Sequence, residues 1–399
     1  MLALVIGVIV ADTVYRAGPK QRTDLPVYLA GSARVLSGAD PLYARSSRGW
    51  PYVYPPTLAV LIAPLRPLPI RLSAGLWCLL SLGVLALGLR RYRTQELVSG
   101  SAGVPKPPGE GSLAAPDPPD PSRVRWELWL PLVLVTLPLL SGLLRGQVGA
   151  ILLGLGLWAW CDLRAKRDLR AGVLLALCAA IKLTPLLVIV GLCCARRWRA
   201  LGGALLGLLL FLVVLPLPFL GLRGTANTLG NFTERMILRP LQDPGGHNMT
   251  SNLTHVPQNQ ALTSLAGRHL EGAPKGVAFA FLGLLVLLAL ARTTYRLDLS
   301  SYGLLWGVPL LVAPVAWHHH HVVAFFSLAL LAARRARVTL ALFAVLALLH
   351  FAVKDLRPYG LLAAGTLIAL VLSGLPLRAE SSEDATGSRE AEALGPSAT

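Results

Sequence analysis

Asp24 stands fewer than ten residues beyond an apolar segment, in the first long polar interruption of the chain, Thr23 to Pro56. A carboxylate at a membrane boundary is partly desolvated, which raises its pKa and suits it to accept a proton as a general base. The same residue also suits the cap of a short helix from Leu25 to Val35, and its position leaves both roles open. Lys182 is set in an otherwise apolar stretch. An ionisable group there costs about 3 kcal/mol to insert, so it faces a polar cavity or an anionic partner such as phosphate, or it snorkels to the surface. His318, His319, His320 and His321 follow Trp317 between two apolar runs. Successive helical residues point about 100° apart, so at most two of the four share a face, as His318 and His321 would. A metal needs further ligands, and no carboxylate lies close in sequence. Imidazoles at the start of a returning helix are also placed to contact phosphate or sugar. Asn259 and Gln260 offer amides for sugar hydroxyls, and Arg268 a guanidinium for phosphate, although polar loops hold such residues without function. Asp40 reads as a turn residue.

The elements that must position these groups are membrane helices. The chain is 54% hydrophobic and 14% charged, against about 25% charged in an average soluble domain. Mean hydropathy is +0.60. Apolar runs approaching the ~20 residues needed to cross a bilayer recur from end to end. Backbone groups in lipid must be satisfied internally, and the alternating pattern of a membrane barrel is absent, so the fold class is all-α, a polytopic helical bundle. The formal charge of +17 sits in short clusters between apolar runs, as topology signals do, and not as a nucleic-acid footprint. Cys78, Cys161, Cys178, Cys193 and Cys194 lie in or beside apolar segments without metal-like spacing.

Taken in order, a first helix from about Leu2 to Tyr15 carries the chain outward, and Ile70 to Leu89 crosses back to the basic cluster Arg90, Arg91 and Arg93. Thr57 to Leu65 is too short to span. Leu128 to Leu144 goes out, Arg145-Gly146-Gln147 turns, and Val148 to Cys161 returns. Ala171 to Cys194 has basic clusters at both ends, which predicts a broken hairpin with Lys182-Leu183-Thr184-Pro185 at its outer tip. Leu201 to Leu220 crosses outward, and a second large outer loop runs from about Gly221 to Lys275. The remaining runs alternate to Leu375, giving about ten to twelve spans with both termini inside. Residues 1–377 form one transmembrane domain, with 99–123 a disordered cytoplasmic linker inside it and 378–399 a disordered cytoplasmic tail.

Three stretches carry a likeness. Asp24-Leu25-Pro26-Val27-Tyr28, Gly38-Ala39-Asp40-Pro41-Leu42-Tyr43 and Tyr52-Val53-Tyr54-Pro55-Pro56 are followed in order by Gly146-Gln147, Lys182-Leu183-Thr184-Pro185, Asn259-Gln260 with Arg268, and Trp317 with its histidines. The set resembles glycosyltransferase family 87, GT-C type membrane enzymes. That resemblance implies a polyprenyl-phosphate-linked sugar donor, typically of mannose, a lipid or glycan acceptor, and an inverting transfer at the outer face of the cell membrane. It implies neither metal nor other cofactor. It places the catalytic aspartate on Asp24 and puts Tyr28, Tyr54, Gln147, Lys182, Asn259, Gln260, Arg268 and His318 or His319 against substrate. Asn259-Gln260-Ala261 departs from the family's Asn-Gln-Ser. The rival from another class is a transporter or flippase for an anionic (glyco)lipid, using Lys182 for the lipid and Asp24 as a proton site.

Overall fold

The computed structural model describes residues 2–18, 22–37, 42–43, 50–101, 121–239, 256, 258–269, 275–313 and 315–375. Asp40, residues 102–120 of the expected linker and the 378–399 tail lie outside them. Among the described residues the regular elements are all helical, and Asn259 and Trp317 form an isolated antiparallel bridge.

The first half reads α1 (Leu2–Ala17), α2 (Leu25–Ser37), α3 (Pro56–Leu61) with a 3₁₀ turn at Ala63–Leu65, then α4 (Ile70–Ser101). The run Leu128 to Leu144, expected as one helix, is two: α5 (Pro121–Leu134) and α6 (Thr136–Arg145), bent by 60°. Pro131 and Pro138 lack the N–H groups that would continue the ladder, and the kink falls between them. After α7 (Gly149–Arg164), the broken hairpin is present as α8 (Asp168–Ile181) and α9 (Leu186–Cys194). Lys182 is extended at φ −148° and ψ 131°, with Pro185 ahead of α9.

The crossing expected over Leu201 to Leu220 ends earlier. Helix α10 (Trp198–Leu209) runs into a π-helical segment, Leu210–Val214, and α11 (Leu217–Phe232, then π-helical to Leu238) departs at 99°. Pro216 and Pro218 interrupt the backbone ladder, and Gly221 takes φ 64°, a region open to glycine. The hydroxyl of Thr57 on α3 donates to Phe211 O at 2.8 Å inside the π segment. The start of the expected outer loop is therefore helix as far as Leu238.

The second half is α12 (Leu262–His269), α13 (Lys275–Tyr295), α14 (Leu299–Val312), a 3₁₀ helix at His318–Ala324, α15 (Phe325–Ala333), α16 (Arg337–Ala352), a 3₁₀ turn at Lys354–Tyr359 and α17 (Leu361–Gly374). Among the described residues, 70–96 form a helix long and apolar enough to cross a bilayer unaided, and each of two bent pairs qualifies if taken as one span. Several other apolar helices have 10–17 residues.

Two crossings set the core, and both depend on small residues that let backbones touch. At α4 against α7, a Cβ on Gly88 would lie 2.3 Å from Gly154 O. At α8 against α10, a Cβ on Gly172 would lie 1.9 Å from Ala200 O, and one on Gly203 2.1 Å from Leu169 O. One end of the bundle is basic and tied by ions. Asp162, fully buried near the end of α7, meets Arg91 of α4 and, at 2.9 Å, Arg170 of α8, and both guanidinium groups lie over Trp158. Arg197 pairs with Asp168 and Arg164 with Glu96 at the same end. The turns α7–α8, α9–α10 and α15–α16 share one design, with Lys166, Arg196 and Arg335 at φ 54–56°. In each, the residue after the left-handed one donates back to a carbonyl five positions earlier, at 2.8–2.9 Å. That closure satisfies the last carbonyls and leaves a cation at a helix C-terminus, where the dipole favours it.

The α8–α10 contact makes a prediction with its own control. Gly172→Ala forces two backbones apart, and overpacking of this kind costs about 1–3 kcal/mol. Gly202, with nothing within 4 Å of its Cβ position, tolerates alanine. Thermal unfolding in detergent should fall for Gly172→Ala and hold or rise slightly for Gly202→Ala.

Candidate active site

The opposite end of α4 and α7 gathers the polar residues. Gln147 precedes the first turn of α7 and Asp162 sits in its last, so the two ends are separated by about 22 Å at 1.5 Å per residue. Asp24 lies just before α2, where its carbonyl accepts from Val27 N at 3.0 Å and Tyr28 N at 3.3 Å. Its carboxylate accepts from Gln147 Nε2, and its own N–H donates to Arg145 O at 2.8 Å. The turn Arg145-Gly146-Gln147 is thus joined to Asp24 through both main chain and side chain. Gly146 makes the turn possible at φ 72°, and Trp77 Nε1 of α4 holds its carbonyl at 2.8 Å.

Behind Gln147 stand two phenols. Tyr54 OH donates to Gln147 Oε1 at 3.1 Å, and Tyr28 OH donates to Tyr54 OH at 3.1 Å. Tyr28 also meets Tyr54 edge-on at 5.1 Å and Trp77 at 6.5 Å. Tyr52 and Tyr43 extend the aromatic wall toward Phe232 of α11.

Lys182, at the break between α8 and α9, and Arg145 are both close enough for their charges to act on Asp24. Burial pushes the Asp24 carboxyl above its ordinary 3.8, opposed first by the Gln147 hydrogen bond and then by Arg145 and Lys182. Burial brings the Lys182 ammonium from 10.5 down to about 7, with Asp24 opposing. A carboxyl of raised pKa and a cation that titrates near neutrality therefore lie close enough for each charge to act on the other.

The histidines divide between two surroundings. They form a 3₁₀ helix, so His318 and His321, three apart, point the same way. His318 Nε2 bonds Ser141 Oγ of α6 at 2.8 Å, and its ring lies 5.9 Å from that of His350 on α16. His321 Nδ1 bonds Thr366 Oγ1 of α17 at 2.8 Å. His319 and His320 instead lie within reach of the Lys182 charge, their rings edge-on at 4.5 Å. Burial, the neighbouring imidazoles and Lys182 hold both well below 6.5, hence neutral at physiological pH. His319 also approaches Gln147 from across α6, since a Cβ on Gly142 would stand 3.6 Å from one and 3.9 Å from the other.

Asn259, Gln260 and Arg268 do not join Asp24. Asn259 Oδ1 accepts from Ala261 N at 3.1 Å and Ala316 N at 2.9 Å, and Gln260 Nε2 donates to Arg357 O at 3.0 Å. The Arg268 guanidinium donates to Val256 O, Asn259 O, Pro358 O and Ser264 Oγ at 2.7–3.2 Å. Together they hold the segment that pairs with Trp317 and so aim the histidine run. Among the described residues, no group of three or more His, Cys, Asp or Glu is placed to hold a metal ion. Sequence reasoning passed over Arg145 and His320 as site residues. The first adjoins the Gly146-Gln147 turn, and the second stands in the histidine run, where only the helix type decides which rings point inward.

Glycosyltransferase family 87 matches residues 52–314. Tyr54, Gln147, Lys182, Asn259, Gln260 and Arg268 fall inside that stretch, Asp24 and Tyr28 precede it, and the histidines follow it. The chain is 27% identical over 333 residues to the polyprenol-phosphate-mannose-dependent alpha-(1-2)-phosphatidylinositol pentamannoside mannosyltransferase of Mycobacterium tuberculosis (strain CDC 1551 / Oshkosh), covering 81% of this chain and 69% of that protein. It is 30% identical over 185 residues to the protein of the same name from Mycolicibacterium smegmatis (strain ATCC 700084 / mc(2)155), covering 45% of this chain and 39% of that one. No solved structure matches.

Arg268→Ala removes one donor from each of three carbonyls, those of Val256, Asn259 and Pro358, and from the Ser264 hydroxyl. Hydrogen exchange of the amides in 258–269 should quicken, while those of α7 stay as protected as in the parent. Unchanged exchange in 258–269 would show that the clamp holds nothing.

Proposed function

We propose that this chain, which belongs to glycosyltransferase family 87, moves a mannosyl group from a polyprenyl-phosphate donor to a hydroxyl of a lipid or glycan acceptor. It does so as a multi-pass membrane enzyme whose site opens away from the cytoplasm. The observation that carries this reading is the half-buried Asp24 carboxylate held by Gln147 at the Arg145–Gln147 turn, with the Lys182 ammonium close enough for each charge to act on the other. Membership in a transferase family sets aside the transporter. The donor is supported by the names of both relatives, which are polyprenol-phosphate-mannose-dependent enzymes. The orientation is supported by the basic turns at the far end of the bundle, since cytoplasmic ends carry the excess of Lys and Arg.

In this mechanism Asp24 takes the proton of the acceptor hydroxyl as that oxygen attacks the anomeric carbon from the face opposite the phosphate. The new carbon–oxygen bond forms, the bond to phosphate oxygen breaks, and its electron pair leaves with the lipid phosphate. Configuration inverts. Lys182 meets the charge that builds on the departing phosphate, and the neutral rings of His319 and His320 supply N–H donors beside it. Asn259 and Arg268 act at a distance, by fixing Trp317 and the start of the histidine helix.

Two outcomes test the reading in purified enzyme. Asp24→Asn should lower transfer by about 10²–10⁴-fold, as loss of a general base does; activity within tenfold of the parent removes Asp24 from the role. The pH profile of kcat/KM should be bell-shaped. Asp24 works deprotonated, so the rate climbs as pH rises through its raised pKa. Lys182 works protonated, so the rate falls through about 7. Lys182→Arg, charged throughout this range, should abolish the alkaline limb; a limb that stays in place assigns it to another group.

A further inference from the structure

We infer that Gln147 is a positioning residue for the transfer: it holds one oxygen of Asp24, leaves the other to take the acceptor's proton, and has its own amide oriented by Tyr54 and Tyr28. The inference rests on Asp24 as the base and goes beyond it by assigning three residues that would otherwise read as substrate contacts.

Exposure separates holder from base. Gln147, Tyr28 and Tyr54 are 6%, 1% and 8% exposed, whereas Asp24 is partly exposed. A buried primary amide has a donor end and an acceptor end, and a flip would set oxygen against carboxylate. The acceptor-only carboxylate disfavours the flip, and the Tyr54 hydroxyl, donating to Oε1, supports the unflipped amide. Tyr28 OH donates to Tyr54 OH, Tyr54 OH donates to Gln147 Oε1, and Nε2 donates to Asp24. All bonds in this series run one way and end on Asp24, which as a carboxylate only accepts. The series does not turn around with pH, because burial pushes the Tyr54 phenol far up. Main-chain bonds fix the frame: Gln147 N to Gly142 O at 2.9 Å, Asp24 N to Arg145 O at 2.8 Å and Trp77 Nε1 to Gly146 O at 2.8 Å.

Other groups acting on Asp24 are Arg145 at the end of α6, Lys182 from the α8–α9 break, Tyr28 on α2 and Tyr54 from the segment before α3. From α4 comes the uncharged Trp77, and His319 and His320 stand beside Lys182 and are neutral. The Nε2 bond favours the charged carboxylate, so its loss moves Asp24 toward higher pKa and the acid limb of the rate profile toward higher pH.

The test is the pH profile of purified enzyme with polyprenyl-phosphate mannose and a phosphatidylinositol mannoside. Gln147→Leu should shift the acid limb of kcat/KM upward and lower kcat by about 10–100-fold, the scale of a misplaced catalytic group, with donor KM within about threefold. Tyr54→Phe, which removes one oxygen and keeps the ring packing, should shift the limb the same way by less. The double variant should go no further than Gln147→Leu alone, because the phenol acts through the amide. Raised KM with an unmoved limb in both single variants would return these residues to substrate contact. If Gln147→Leu does not fold, the limb position in Tyr54→Phe decides. An acid limb present in the parent and lost in Asp24→Asn, yet fixed in both variants, defeats this inference alone; a parent without that limb defeats the base assignment.

Discussion

A carboxylate drawn partly out of water needs donors that keep it in place without neutralising it. Asp24 has one hydrogen bond from a buried amide and two cations at longer range, Lys182 and Arg145. Burial wins over all three, so the group stays basic. Had either cation formed a direct ion pair with it, the carboxylate would be held low and lose its proton affinity. In the proposed mechanism the cations are left to meet the charge on the departing phosphate.

The bundle is built to hold that arrangement at one end. Helix α7 carries Gln147 at its start and the Asp162 ion cluster at its finish, and Gly154 lets α4 lie directly on it. Gly172 and Gly203 do the same for α8 and α10, and the end of α8 delivers Lys182. Rigid packing of these helices fixes where Gln147 and Lys182 stand relative to Asp24. Asn259 and Arg268 tie a chain-distant segment to Trp317.

Much of this was legible in the residues. A lone lysine in an apolar run followed by Leu-Thr-Pro announced a broken hairpin, since proline forbids the helix its predecessor would continue. Asp24 was visible as an acid next to a span. The angle between α10 and α11 was not, because apolar composition continues through Pro216 and Gly221 and says nothing of direction. Nor was the split among the histidines: a 3₁₀ helix turns each ring by about 120°, an α-helix by about 100°, and sequence does not choose between them. Arg268 shows a different limit of the sequence. Its type suits phosphate, but nearby carbonyls use its donors, and only coordinates reveal which acceptor wins.

The central claim is a placement, and it is tested most directly by a structure of the enzyme with polyprenyl-phosphate mannose and an acceptor bound. The account predicts the acceptor oxygen within about 2.6–3.2 Å of the Asp24 oxygen not held by Gln147. It also predicts the anomeric carbon beyond that oxygen, with the donor phosphate on the Lys182 side. A phosphate lodged against Asp24, or an acceptor hydroxyl beside Lys182 with Asp24 out of reach, would contradict it.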